Sequence, residues 1–64
     1  MNSRIAQVQD NGRLIVLTDG SKWAMEAFDA FHTVMWRPND HIEASMSKLT
    51  NLDRNNRSVH AARK

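Results

Sequence analysis

A chain of 64 residues forms one domain at most, and it hides only about 60% of its unfolded surface on folding, so its stability margin is narrow. The absence of cysteine excludes disulfides and cysteine-ligated zinc, and no apolar run approaches the roughly 18 residues of a membrane span. The net charge of +2 is uneven, because residues 10–53 hold all seven acids and only four bases. Five bases and no acid lie outside that window. We expect a soluble, cytoplasmic protein.

Two turn motifs mark the first predicted hairpins. Asn11-Gly12 separates the segment 4–8 from the branched apolar run 14–17, and Asp19-Gly20 follows that run. Asn-Gly and Asp-Gly supply the positive φ angles that tight turns require, so each turn predicts a strand on either side. The apolar run 14–17 is typical of a strand that is buried on both faces.

Residues 22–36 are open to two interpretations. Their apolar residues recur at helical spacing, and Ser21 is a suitable cap, which favours one helix over the whole segment. A hairpin at Gly20 instead requires a second strand. We therefore predict a strand over residues 22–27 and a short helical turn near residues 29–35.

Alternation and turn residues organise the second half of the chain. Pro38 ends the helical turn, because it disfavours helical angles at the preceding residue. Ile42, Ala44 and Met46 alternate with polar residues, which predicts a half-buried strand over residues 41–47. The rest of the chain is predicted to form a weaker strand at 49–52, a turn at Asn55-Asn56, a closing strand at 59–61 and a frayed end at 62–64. The fold class is therefore mainly β, with five or six short antiparallel strands curled on themselves.

Two motifs resemble those of a known group. The segments 19–23 (Asp-Gly-Ser-Lys-Trp) and 36–40 (Trp-Arg-Pro-Asn-Asp) resemble the Asp-Gly-Ser-x-Trp and Trp-x-Pro-Gly-Asp motifs of small, uncharacterised bacterial SH3-like β-barrel domains. The resemblance covers residues 5–61 and implies one small SH3-like barrel over residues 1–64. Asn39 stands where the group has Gly, and Asn tolerates the positive φ that this turn requires. The resemblance implies no ligand.

No residue pattern points to catalysis, a cofactor or a metal. Asp40 and His41 are adjacent, but in an extended segment their side chains point to opposite faces. The three histidines lack the spacing of metal ligands, and no serine lies in a nucleophile motif. We predict a protein that is not an enzyme, with no catalytic residue, cofactor or metal.

The aromatic residues have a structural and a functional interpretation. Trp23 beside Lys22, and Trp36 beside Arg37, are placed as in barrels that stack nucleic-acid bases or bind proline-rich peptides. A core this small also needs large residues, and a tryptophan buries about 150 Å² or more. We favour the core for both tryptophans, and more strongly for the two phenylalanines, Phe28 and Phe31.

The predicted function is that of a non-enzymatic binding module. Basic residues near the C-terminus favour contact with nucleic acid or another polyanion, although charged ends also protect edge strands from pairing. The candidate contact residues are Trp36, Arg37, Arg54, Arg57, Arg63 and Lys64. The alternative is a protein–protein interaction or homodimerisation domain that uses an exposed aromatic patch or a strand edge. No membrane partner is expected.

Overall fold

The computed structural model describes residues 2–64 and, within them, contains seven strands, one α-helix and a 3-10 turn. The strands are β1 (Asn2–Gln9), β2 (Leu14–Leu17), β3 (Lys22–Ala24), β4 (His41–Ser45), β5 (Lys48–Asn51), β6 (Arg57–His60) and β7 (Ala62–Arg63). The helix α1 spans Ala27–Thr33 and the 3-10 turn spans Asp10–Gly12. The prediction of a mainly β protein is confirmed, with more strands than expected.

The strands form one antiparallel sheet in the order β6-β5-β4-β1-β2-β3-β7. The strand β1 pairs with β2 on one side and with β4 on the other, with an irregularity in the pairing to β2 between Ile5 and Gln7. The strands β6 and β7 stand at opposite ends of this order, yet only Ala61 separates them in the chain. The segment 57–63 therefore pairs with β5 through its first part and with β3 through its second.

The chain end differs from the prediction of fraying at 62–64. Ala62 and Arg63 pair with Ala24 and Trp23 of β3, and the Lys64 N–H donates to the Lys22 carbonyl at 2.8 Å. This difference arises because β3 would otherwise leave a row of unpaired backbone groups on that side.

Both predicted N-terminal hairpins are present. Asp10, Asn11 and Gly12 all have positive φ between β1 and β2, and Gly20, at φ +91°, lies between β2 and β3. The alternative of one helix over residues 22–36 is wrong, because Lys22–Ala24 pairs with β2. The strand β2 is buried chiefly on one face, since its first and third residues are half-exposed.

The core consists of ten buried apolar residues drawn from the sheet and its connections. They are Ile5, Ile15, Leu17, Trp23, Met25, Trp36, Ile42, Leu49, Val59 and Ala61. Both tryptophans are 4% exposed, so the prediction that they belong to the core is confirmed. The predicted strand 41–47 is too long, because β4 ends at Ser45 and Met46 lies exposed in the following turn.

The helix α1 packs closely against the 3-10 turn. The Thr33 hydroxyl donates a hydrogen bond to the Gly12 carbonyl. A Cβ atom at Gly12 would lie 2.6 Å from the Val34 nitrogen, so the two backbones are nearly in contact. Only small side chains, Ala30 and Thr33, are buried on this side of the helix.

The close approach of α1 explains why the prediction of core positions for Phe28 and Phe31 is wrong. These side chains are 80% and 81% exposed. No room for a phenyl ring remains between α1 and the 3-10 turn, so the small residues face inward and the rings face outward.

Candidate functional site

The outer side of α1 carries a contiguous set of exposed apolar side chains. Phe28 and Phe31 lie three residues apart on one face of α1, opposite Ala30 and Thr33, and Met35 follows in the turn after the helix and lines one groove with Phe31. Met35 is 68% exposed. We define the α1 face by its five exposed apolar residues, Ala27, Phe28, Phe31, Val34 and Met35.

Two shallow grooves flank the α1 face, and Phe31 lines both. The first, of ≈ 350 Å³, lies between Phe31, Val34 and Arg13. The second, of ≈ 420 Å³, lies between Phe31, Met35 and Arg57. The ring of Phe31 therefore forms a ridge between two depressions. A ridge flanked by grooves is a shape that the side chains of another protein surface can match.

The charges beside the α1 face differ between its two ends. Glu26 and Asp29, at the start of α1, line a third groove together with His60 at the end of β6. Arg57, at the start of β6, lines the second groove with Met35, and the other charged residues of that groove, Asp53 and Arg54, are paired with His41 and Asp40. Among the described residues, Glu26, Asp29 and Arg57 form no ion pair. One end of the face is therefore acidic and the other is basic.

A carboxylate network holds the turn that follows α1. The Asp40 Oδ2 accepts hydrogen bonds from the Arg37 N–H at 3.1 Å, the Asn51 amide at 3.0 Å and the Arg54 Nε at 3.2 Å. Partial burial pushes the pKa of Asp40 upward, but the hydrogen bonds from Asn51, Arg37 and Arg54 outweigh it, so this pKa lies below its ordinary value. Asn39 takes the expected positive φ, 75°, in the same turn.

Two further carboxylates, those of Asp53 and Asp19, accept hydrogen bonds from nearby residues. The Asp53 Oδ2 accepts from both the backbone N–H and the ring Nδ1 of His41 at 2.9 Å, and these hydrogen bonds lower the pKa of Asp53. Asp19 Oδ1 accepts from the Ser21 hydroxyl at 2.6 Å and from its N–H at 2.9 Å, which lowers the pKa of Asp19. The Trp23 Nε1 donates to the same hydroxyl at 3.0 Å. Both carboxylates have structural partners.

The predicted contact residues are only partly brought together. Trp36, Arg54 and Arg57 line the second groove, but Trp36 is buried and Arg54 is bound to Asp40. Arg63 lies on β7 and lines a separate groove with Asp19. The remaining two, Arg37 and Lys64, line neither groove, and both are exposed.

Sequence reasoning missed the α1 face. The helical spacing of Phe28, Phe31 and Met35 was visible, but a spacing shows which residues share a face and not whether that face points inward. The deciding contact, between Gly12 and Val34, is made between distant parts of the chain. No local signal could have found it.

Residues 2–64 contain no group of three or more His, Cys, Asp or Glu side chains placed to share a metal ion. None of their helical segments has the length and apolar character needed to cross a bilayer. Every buried side-chain nitrogen and oxygen in this part of the chain has a hydrogen-bond partner.

The fold and the α1 face define a small, mainly β protein with an exposed apolar surface on its one helix within residues 2–64. No protein-family model, curated protein or solved structure matches the chain.

Proposed function

We propose that this chain is a non-enzymatic binding module that docks a protein surface through the α1 face. The observation that carries this proposal is the exposure of Phe28 and Phe31, at 80% and 81%, on one side of α1, with Met35 lining the same groove as Phe31. Burying apolar area is favourable by about 25 cal/mol per Å². Contiguous exposed apolar patches mark interaction sites, and aromatic residues, Met and Arg are enriched there.

The local structure offers no other reason for these side chains. Phenylalanine is a weaker helix former than alanine or leucine, so it does not favour α1 through propensity. Neither ring belongs to the core cluster. The two phenylalanines therefore add little to folding of the isolated chain, and docking is the role that uses them.

The polyanion hypothesis has weaker support. Both tryptophans are buried, so neither offers the exposed ring face on which bases stack. The basic residues lie in separate places, and Arg54 is already paired with Asp40. Contact with nucleic acid stays a prediction, and it is tested as a competing outcome below.

The SH3-like barrel and the cytoplasmic location are part of the proposal. The pairing of segment 57–63 with both β5 and β3 supports a sheet that curls round on itself. The cysteine-free composition supports a reducing compartment.

The docking proposal is tested by selecting peptides from a display library against the full chain and mapping each by NMR amide shifts. We expect the selected peptides to shift the amides of residues 27–35. Phe31→Ser should weaken their binding about tenfold or more, as loss of a central aromatic contact does. The matched control is Met46→Ser, because Met46 is 97% exposed and lies in the turn between β4 and β5.

The same titrations separate the competing hypotheses. With the chain diluted to a monomer, peptides that bind only outside residues 27–35, or equal loss of binding in Phe31→Ser and Met46→Ser, would contradict docking at the α1 face. A single-stranded oligonucleotide that shifts Arg54, Arg57 and Arg63, with a log–log salt slope of about −0.7 per phosphate contact, would favour the polyanion hypothesis instead.

A further inference from the structure

The charges beside the α1 face restrict what can cover it. The acidic end carries Glu26 and Asp29. The basic end carries Arg57, and the other two charged residues of that groove are already paired, Asp53 with His41 and Arg54 with Asp40. A uniformly acidic partner would meet repulsion at the first end, and a uniformly basic partner would meet repulsion at the second. Arg13 does not change this pattern, because it shares a groove with Ala27 and Val34 from both ends of the helix.

We propose, building on the docking function above, that the α1 face is covered by a second copy of this chain with the two α1 helices antiparallel. A two-fold axis perpendicular to α1 places the acidic end of each copy against the basic end of the other. Glu26 of one copy then faces Arg57 of its partner, twice. Two-fold contacts of this self-complementary kind are the commonest in soluble oligomers.

The α1 face is large enough for such a contact. A small specific interface buries about 600 Å² per copy. That is about one seventh of the chain's accessible surface of 4326 Å². The two phenylalanine rings alone supply on the order of 300 Å², and Val34, Met35 and the stems of the flanking charged residues extend this area.

Association would also stabilise the folded state of a short chain whose stability margin is narrow. A partner that binds only the folded state stabilises it by mass action, and the effect grows with concentration. The Phe28 and Phe31 rings, which lie outside the core of one copy, become part of a shared apolar cluster in the pair.

The test is sedimentation equilibrium of the full chain over a wide concentration range, with charge-swap variants. We expect a concentration-dependent dimer. Glu26→Arg and Arg57→Glu should each weaken it about tenfold through like-charge contacts, and the double variant should recover most of that loss. The control pair is Glu43→Arg and Lys22→Glu, because both residues are exposed strand positions away from α1.

Two further measurements distinguish weaker association from loss of folding and test the arrangement of the two copies. Urea unfolding of each variant reports whether the monomer is intact. Intermolecular NOEs in a mixed sample of labelled and unlabelled wild-type chain should connect Phe28 and Phe31 across the two copies. No NOE between these rings in a confirmed dimer would overturn the arrangement.

The outcomes separate the two proposals. A monomer at all concentrations up to about 1 mM would overturn the second copy as the occupant, while the peptide selection on that monomer would still test docking. A dimer in which the double charge swap is no tighter than the single variants would overturn the antiparallel arrangement. A dimer that Phe31→Ser leaves unchanged would overturn this proposal, and a failed peptide selection would then remove the α1 face altogether.

Discussion

Ser21 joins the second hairpin turn to the core through one hydroxyl group. It donates to Asp19 and accepts from the buried Trp23 indole, so the Asp-Gly-Ser-x-Trp motif has a structural explanation in this chain. Gly20 contributes the positive φ that lets the turn close. The motif residues therefore contribute to the fold itself.

We expect Ser21→Ala to lower the free energy of unfolding by about 1–3 kcal/mol, because it leaves the buried Trp23 N–H without its partner. The pKa of Asp19 should also rise part of the way toward its ordinary value, since the hydrogen bond from the Ser21 hydroxyl is its largest lowering cause, while the backbone N–H of residue 21 still donates. Urea unfolding measures the first effect and an NMR titration the second. Ser45→Ala is the control at an exposed strand position, and equal effects of both variants would contradict this assignment.

Asp40 makes the stability of the turn after α1 sensitive to acid. Its pKa is lowered from 3.8 in the folded chain, so its contribution is fully present above that value. The contribution is lost as the pH falls through the lowered folded pKa. Asp19 and Asp53 act in the same direction, because their pKa values are lowered too.

Asp40→Asn should therefore destabilise the protein at neutral pH and reduce the acid dependence without abolishing it. The expected loss is about 1–3 kcal/mol at pH 7, because the amide replaces a charged acceptor of three hydrogen bonds. Urea unfolding from pH 7 to pH 2 measures both effects. Parallel pH curves for the wild type and the variant would show that Asp40 does not contribute in this way.

At the scale of elements, Gly12 determines how α1 is placed. Gly12 and Gly20 both have positive φ, but a Cβ would clash with Val34 only at Gly12, and nothing lies within 4 Å at Gly20. Substitutions at the two glycines therefore separate the free-energy cost of a strained φ from that of a steric clash.

Gly20→Ala should lower the free energy of unfolding by about 1–2 kcal/mol, the cost of a left-handed angle. Gly12→Ala should cost more, because α1 must also move away from the 3-10 turn. Urea unfolding gives the two energies, and hydrogen exchange of the amides in α1 should accelerate only in Gly12→Ala. Equal losses in both variants would mean that the contact between Gly12 and Val34 contributes nothing.

The elements differ in how far they could be predicted from the sequence. The hairpins at Gly12 and Gly20 and the turn at Asn55-Asn56 depend on backbone angles that few residue types adopt, and all three are present. The orientation of α1 depends on the hydrogen bond from Thr33 to Gly12, 21 residues away. Contacts at that separation leave no trace in local patterns, so the exposed phenylalanines could not be predicted.

At the scale of the whole molecule, the sequence predicts only part of the candidate site. The basic residues were recognisable from composition, but the placement of Arg54 and Arg57 in one groove and Arg63 in another depends on the sheet order. The acidic end of the α1 face comes from the helix and its cap, through Asp29 and Glu26, whereas the basic end arises because β6, which carries Arg57, packs beside α1. The placement of β6 depends on its pairing with β5, and helical spacing alone does not show it.

The contribution of the last strand, β7, to the free energy of unfolding can be measured directly by removing it. The strand β7 pairs with β3, and the Lys64 N–H extends this pairing to the Lys22 carbonyl. A chain that ends at Ala61 loses these hydrogen bonds and leaves one side of β3 unpaired, next to the buried Trp23. We expect its free energy of unfolding to fall by about 1–3 kcal/mol, as each lost hydrogen bond contributes about 0.5–1.5 kcal/mol.

The control for this truncation is the double variant Arg63→Ala/Lys64→Ala, which keeps the backbone and removes both charges. Its effect should stay within about 0.5 kcal/mol, because both side chains are exposed. Urea unfolding compares the two chains, and hydrogen exchange at the Trp23 amide should accelerate in the truncated chain alone. If the two chains unfold at the same urea concentration, the backbone pairing of β7 adds nothing to the fold, and the end of the chain frays as its sequence predicts.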